Sequence, residues 1–426
     1  VVGIDLDNKL GSHRVHSIND GTLPFESSDS FLIDSLKQNV KNGNLIATFD
    51  NSYYEVADVI IVDVPLDLDF SNHKEVVNVN LDPFKSAIRT FSSRMREDCL
   101  VIVETTIPPG TCEKVVYPIL KEEFTNRNLN IDRIQLAHSY ERVMPGKDYL
   151  KSITDFWRVF AGFTKESGDK CESFLSKVIN IEKYPMKRLQ QIVASETSKV
   201  LENSYRATTI AFMEEWGRFA ESVGFDLFEV INAIRDRPTH NNIRQPGFGV
   251  GGYCLTKDPL FAKWSAQNFF NLEDHTFPFC SESVEANQKM PYVTLDYAKI
   301  LLKDLKDKKI AVLGVSYRQD VGDTRYSPTQ PFVEELVKQG AKVSCYDPMV
   351  KYWDELNLDV LPNVDNLNSY DLVVFTVQHD QFKDVDLSLI NESVILLDAN
   401  NVLTKKQYEQ VQNGTTLFSI GKGYKK

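Results

Sequence analysis

Runs rich in valine, isoleucine and leucine alternate with longer helical stretches, and the alternation happens twice along the chain. In the first third the runs are Val1–Leu6, Val59–Val64, Leu100–Thr106, Ile134–Ser139 and Arg158–Phe163. Strands that take turns with helices form βαβ units, so a parallel sheet covered on both faces is expected. From about Gln190 to Val223 the pattern changes: Ile192, Val200, Ala211, Phe212, Trp216, Phe219 and Ala220 recur at roughly helical spacing, with no proline among them. That predicts one long helix or a kinked pair, a connector and a dimer surface between two α/β halves. Lys309–Gly314 then opens a second alternation, with a helix ending near Gly340 and further strands at Val343–Tyr346, Leu372–Phe375 and Val394–Leu397. The fold expected is α/β, two Rossmann-like doubly wound domains joined by a central long-helix domain, with boundaries at 1–185, 186–295 and 296–426.

The chain has 426 residues, more than one ordinary core holds. Its 48 basic and 60 acidic residues leave a net charge of -12, which excludes a general nucleic-acid binder, because polyanion affinity needs a concentrated basic surface. No apolar run is long enough to span a bilayer, so no membrane insertion is expected. The cysteines (Cys99, Cys112, Cys171, Cys254, Cys280, Cys345) are scattered without a C-x-x-C pair. That spacing speaks against a disulfide framework or a metal site and fits thiols kept reduced in a cytoplasm. Val1-Val2-Gly3-Ile4-Asp5-Leu6-Asp7 is an apolar strand ending in acid with no signal peptide ahead of it, so the chain is expected to start inside a domain.

One cysteine has an unusual setting. Cys254 follows the glycine-rich run Gly247-Phe248-Gly249-Val250-Gly251-Gly252-Tyr253 and precedes Leu255-Thr256-Lys257-Asp258. Glycines let a backbone approach a ligand closely, and a nearby ammonium favours the thiolate that attacks carbonyls. A buried cysteine after a flexible turn is the plainer alternative. Other segments offer partners. Val64-Pro65 and Glu104-Thr105-Thr106-Ile107-Pro108-Pro109-Gly110-Thr111 follow strands, where parallel sheets form ligand crevices. Ser139-Tyr140-Glu141-Arg142-Val143-Met144-Pro145-Gly146 is a strand end carrying a carboxylate. Lys199 and Asn203, at i and i+4, put an ammonium and an amide on one helix face, though such a pair is more often solvated surface. Asp323-Thr324-Arg325-Tyr326-Ser327-Pro328 reads as a helix start with Ser327 as N-cap and Pro328 at N1, a role compatible with anion binding by Arg325. Asp5, ending the first run, is placed to accept from an adenosine ribose or simply to be a surface carboxylate.

In this order and spacing, these segments resemble the nucleotide-sugar 6-dehydrogenases, the UDP-glucose/GDP-mannose dehydrogenase family, over nearly the whole chain. The resemblance implies an NAD-dependent four-electron oxidation of a nucleotide sugar at C6, for surface polysaccharide synthesis. Cys254 would be the nucleophile, Lys199 and Asn203 the stabilisers of the oxyanion, Asp258 a support for proton transfer and Glu141 the carboxylate that helps activate water. A first hydride leaves C6 and gives an aldehyde; Cys254 adds to form a thiohemiacetal; a second hydride leaves to give a thioester, which water hydrolyses to the uronate. Cofactor contacts would fall on Asp5, Arg14, Val64, Pro65, Thr105, Thr106, Lys257 and Arg325. The sugar nucleotide would meet Glu141, Arg142, Lys199, Asn203, Gly247, Phe248, Gly249, Gly251, Tyr317 and Arg318. The domains at 1–185, 186–295 and 296–426 would then be NAD-binding, helical dimerisation/catalytic and UDP-sugar-binding, in a homodimer or larger homo-oligomer.

Some positions depart from the family. Its opening strand and G-x-G-x-x-G loop, which hold the pyrophosphate at a helix N-terminus, have no counterpart before Val1, so the first domain is expected to lack one strand and one helix. Leu66, Tyr140 and Glu214 stand where the family often has threonine, proline and asparagine. Glu-Arg-Val-Met-Pro-Gly is similar to the UDP-N-acetylhexosamine enzymes, while Cys-Leu-Thr-Lys-Asp keeps the Lys-Asp of the glucose and mannose enzymes. A UDP-N-acetylhexosamine is therefore favoured over UDP-glucose. An inactive nucleotide-sugar-binding fragment or subunit is the alternative that the absent phosphate loop suggests. A single-step β-hydroxyacid dehydrogenase would share the layout but have no use for Cys254 or the second α/β domain.

Overall fold

The computed structural model describes residues 1–69, 78–362, 366–411 and 414–422. The backbone divides into two compact units, Val1–Asn203 with Lys257–Phe277, and Ser204–Thr256 with Pro278–Lys426.

The first unit opens with strand β1 (Val2–Ile4), helices α1 (Lys9–Asn19) and α2 (Ser30–Lys41), and strand β2 (Ile46–Thr48). β1 and β2 pair in parallel, Val2 opposite Ile46, as a sheet of their own. A second sheet holds β3 (Val59–Val62), β4 (Leu100–Val103), β5 (Gln135–His138), β6 (Val159–Gly162) and β7 (Lys187–Arg188), side by side in that order. Helices α3 (Asp82–Ser92) and α4 (Tyr117–Asn126) flank β4 in the chain, and α5 (Lys165–Leu175) follows β6. Two corrections to the sequence reading follow. The strands of this unit do not form one sheet, and β6 runs antiparallel to β5. Aliphatic runs report that a strand is buried and carry no information on its direction or its neighbour. All four residues of β4 are buried, as a central strand covered on both faces requires.

The long helix α6 (Ile192–Val223) follows, then α7 (Leu227–Arg235), α8 (Asp258–Phe269) and α9 (Pro278–Leu302). The second unit's sheet comprises β8 (Lys309–Leu313), β9 (Lys342–Tyr346), β10 (Leu372–Phe375), β11 (Ile395–Asp398) and β12 (Leu417–Ser419), with α10 (Thr329–Lys338) between β8 and β9. Its order is β9-β8-β10-β11-β12 and every pair is parallel. Ile310 and Val312 pack into one hydrophobic cluster with Phe332 and Val374; Ala311 and Leu313 pack into another with Val373 and Phe375. Alternate residues thus bury against opposite layers, which is why these strands read as unbroken aliphatic runs. The order reverses between β8 and β10, so the loops after these two strands border the crevice where doubly wound sheets bind ligands. Among the described residues, no helix is long and apolar enough to cross a membrane, and no cluster of His, Cys, Asp and Glu could hold a metal.

Candidate active site

In the first unit, α6 presents Lys199 and Asn203 inward, although a charged pair at i, i+4 is ordinarily solvated. Lys199 is 8% exposed. Its Nζ donates to the Glu141 carbonyl at 2.8 Å, lies 3.7 Å from the Glu141 carboxylate, and sits 5.4 Å from the centre of the buried Tyr140 ring. A buried ammonium needs such partners, and an aromatic face contributes about 0.5–2 kcal/mol. One turn on, Asn203 Nδ2 donates at 2.7 Å to Asp258 Oδ2, while Lys257 Nζ donates at 2.8 Å to Asp258 Oδ1. Asp258 is fully buried at the first position of α8, followed by Pro259, whose missing N–H costs nothing there. Both carboxylate oxygens are therefore engaged, and Lys257 also lies 4.6 Å from the Phe261 ring centre. Glu141 is half-buried in the loop three residues past β5, its carboxylate taking the amide of Val143.

The strand-end loops of the same unit carry the residues expected to contact the cofactor. Val64 and Pro65 follow β3; Thr105 and Thr106 follow β4, with the Thr105 amide bonded to the Val62 carbonyl at 3.2 Å. Glu104 pairs with the buried Arg158. Asp5, just past β1, accepts the Leu6 amide at 2.7 Å and meets Arg14 at 3.2 Å. Arg142 forms an ion pair with Glu202 at 3.1 Å and donates to the Trp157 carbonyl, so its guanidinium is held by the protein itself.

In the second unit, shape organises the loop before Cys254. A Cβ on Gly251 would fall 2.7 Å from both Tyr317 Cβ and the Tyr326 carbonyl, and Gly252 has φ +80°. The glycines are thus required by the close approach of Tyr317 and the loop before α10. The Phe248 side chain is buried in the core, edge-on to Phe332, so that position can offer a ligand only its main chain. Cys254 is exposed. Cys99, Cys171 and Cys345 are buried, and burial pushes their thiols up to about 12. Burial and the nearby charges of Asp323 and Cys254 also raise the Tyr317 phenol, to about 12, which keeps it a neutral donor. Arg318 is exposed, and Arg325 forms a two-pronged pair with Asp323, closest at 2.6 Å. Helix α10 begins one residue later than its sequence suggests: Pro328 is the N-cap, and the Ser327 hydroxyl accepts the Thr329 amide at 3.2 Å.

Several groups that organise these loops are not singled out by the sequence, and only Glu196, three residues before Lys199, leaves a hint there. His138, at the end of β5, is fully buried with Nδ1 2.8 Å from the Ser195 hydroxyl; burial, then the charge of Lys199, depress it to about 3, so it is neutral. Glu196 on α6 is buried and accepts the amides of Gly110 and Cys112 at 2.5 and 2.7 Å. In the second unit Asp347 accepts the amides of Val315 and Ser316 at 2.8 and 3.0 Å. His379 accepts the Asp320 amide at Nδ1, which places its proton on Nε2, facing Asp347 at 3.1 Å.

Family comparison agrees along the length of the chain. Models of the UDP-glucose/GDP-mannose dehydrogenase family match as NAD binding domain over residues 1–178, central domain over 193–289 and UDP binding domain over 311–405. A UDP-N-acetyl-D-mannosamine dehydrogenase of Pyrococcus horikoshii is 30% identical over 76% of this chain and 74% of its own. The chain belongs to this family. It is an NAD-dependent UDP-sugar dehydrogenase, an oxidoreductase. The UDP-N-acetyl-D-mannosamine dehydrogenase of Methanocaldococcus jannaschii is 29% identical over 99% of this chain and 91% of its own. The solved UDP-D-ManNAc dehydrogenase structure from Pyrococcus horikoshii superposes with a TM-score of 0.83 at 26% identity, covering 99% of this chain and 93% of that one. The donor set of the first unit suits NAD. Asp5 would offer a strand-end acceptor to a ribose, and Thr105 and Thr106 would offer hydroxyls past β4 to the nicotinamide side. Bound there, NAD+ supplies the hydride acceptor that the dehydrogenase requires.

Proposed function

We propose that the chain oxidises C6 of UDP-N-acetylmannosamine to the carboxylate, with Cys254 as the covalent nucleophile. The observation that carries the substrate is the whole-length similarity to UDP-N-acetyl-D-mannosamine dehydrogenases, together with the Glu141-Arg142-Val143-Met144-Pro145-Gly146 segment. The thiol's exposure supports its role, because the other buried thiols are held protonated and out of reach. Only Leu255, Thr256 and Lys257 separate it from Asp258. An aldehyde carbon offers no second hydride until a nucleophile adds. The Cys254 sulfur forms a bond to C6 and leaves an alkoxide on O6, which collapses to a thioester as the hydride departs. Water then adds to the thioester carbonyl, the C–S bond breaks, and the thiolate is regenerated with a carboxylate product. Lys199 and Asn203 stabilise the O6 charge, an effect of roughly 3–4 kcal/mol per well-placed donor. Asp258 fixes the Asn203 amide, and Glu141 orients the water.

The same reading assigns NAD contacts to Asp5, Arg14, Val64, Pro65, Thr105, Thr106, Lys257 and Arg325, and sugar-nucleotide contacts to the glycine loop, Arg142, Tyr317 and Arg318. It also includes a homodimer in a reducing cytoplasm. Tyr205, Phe212, Trp216, Phe219 and Val223 are exposed along one stripe of α6, an apolar seam suited to a second copy. Mass spectrometry of products from a panel of UDP-hexoses tests the substrate: UDP-N-acetylmannosamine should give the uronate with two NADH per sugar. Faster turnover of UDP-glucose would overturn it. Trp216→Glu should shift the protein to monomer in light scattering.

A further inference from the structure

Glu196 lies three residues before Lys199 and seven before Asn203 on α6, so all three share one helix face. Its carboxylate is fully buried and grips the turn that continues from Thr105 and Thr106, taking the Gly110 amide at 2.5 Å and the Cys112 amide at 2.7 Å. The turn is shaped for this grip. Gly110 has φ +94°, and a Cβ there would fall 2.8 Å from the Phe270 ring. Thr111 bonds back to the Pro108 carbonyl at 2.6 Å, and Ser265 of α8 donates to the Pro109 carbonyl. The helices that carry Lys199, Asn203 and Asp258 are thus the ones that hold this loop. An apolar residue at 196 would fill the space but leave two buried amides unmet.

We infer that Glu196 is a positioning residue, which fixes the loop 105–111 against the helix bearing Lys199 and so sets the affinity for NAD without contacting it. The inference rests on the reading that Thr105 and Thr106 face the cofactor. A carboxyl group offers one oxygen to each amide. Burial pushes this carboxyl up to about 7, while the two amides pull it down and favour the ionised form. A glutamine keeps the shape but turns an NH2 toward one of the amides.

The test is calorimetric NAD+ binding to the full chain, with turnover and thermal melting measured alongside, for Glu196→Gln and for Thr105→Val/Thr106→Val. Glu196→Gln should weaken NAD+ binding on the order of tenfold, leave UDP-sugar binding within about twofold, and raise KM for NAD+ more than it lowers kcat. A folded Glu196→Gln protein with wild-type NAD+ affinity overturns the inference. If Glu196→Gln does not fold, Ser265→Ala releases the same turn from α8, and wild-type NAD+ affinity there overturns it equally. Loss of affinity in the threonine variant alone leaves the cofactor reading standing and removes the positioning role; wild-type affinity in all variants removes both.

Discussion

The loops that the proposed chemistry uses in the two units are held by different means, although the second unit also has a buried carboxylate, Asp347, on the loop after β8. In the first unit the holding groups are buried charges: Lys199 on Glu141, Asp258 between Lys257 and Asn203, Glu196 on two amides. In the second unit the loop before Cys254 is held by shape, glycine backbone against Tyr317 and the Tyr326 carbonyl, and the thiol itself is exposed. Breaking one member of a buried charge set leaves the others uncompensated, whereas an exposed side chain on a well-packed loop can be exchanged without structural cost. Chemistry and stability should therefore be inseparable around Lys199, Asn203 and Asp258 and separable at Cys254.

The sharpest test is Cys254→Ala. NADH formation should fall by at least about 10³-fold, as expected for removal of a covalent nucleophile, with the melting temperature unchanged. Wild-type turnover would remove the covalent role; a large drop in melting temperature would break the contrast between the units. Asp258→Ala comes next. It should destabilise by about 3–5 kcal/mol in denaturant titration, because Lys257 and Asn203 lose their shared partner in the interior, and activity should fall with it. Gly251→Ala asks whether shape alone holds the second unit's loop. The clash with Tyr317 and the Tyr326 carbonyl should cost about 1–3 kcal/mol, and unaltered stability would show that the loop gives way cheaply.

The smallest effect is a pH slope. Glu214 is buried on α6; it lies 3.1 Å from Arg218 without hydrogen-bond alignment, and burial raises it to about 7 from an ordinary 4.5. A carboxyl raised on folding stabilises the fold in its protonated form. That contribution is complete below about pH 4.5 and is lost as pH rises through 7. Glu196 has the same sign. Melting temperature should decline between pH 5 and 7 in the wild type and decline less in Glu214→Gln; parallel slopes would place the titration elsewhere.

Much of the fold was legible because burial leaves a periodic trace. The long helix was expected from about Gln190 and begins at Ile192, and the strand Leu372–Phe375 has the expected bounds. The division of the first unit's strands, the antiparallel β5-β6 pair and the short strand Leu417–Ser419 were not legible, since pairing partners and direction depend on distant segments. In the site, Lys199, Asn203 and Asp258 are brought together within one unit. Glu196 was missed because a glutamate in a helix looks like surface until the amides it meets are known. Its three-residue spacing from Lys199 was the one available hint. The pairing of Arg325 with Asp323 could have been read, as both lie in one short turn.

One further consequence concerns His138. With its ring buried and an ammonium nearby, it stays neutral down to about pH 3. Imidazole is the side chain usually blamed when an enzyme's rate inflects near neutrality. Here that assignment is closed for His138: an inflection between pH 5 and 8 reports another group, and exchanging this histidine should leave the midpoint where it is.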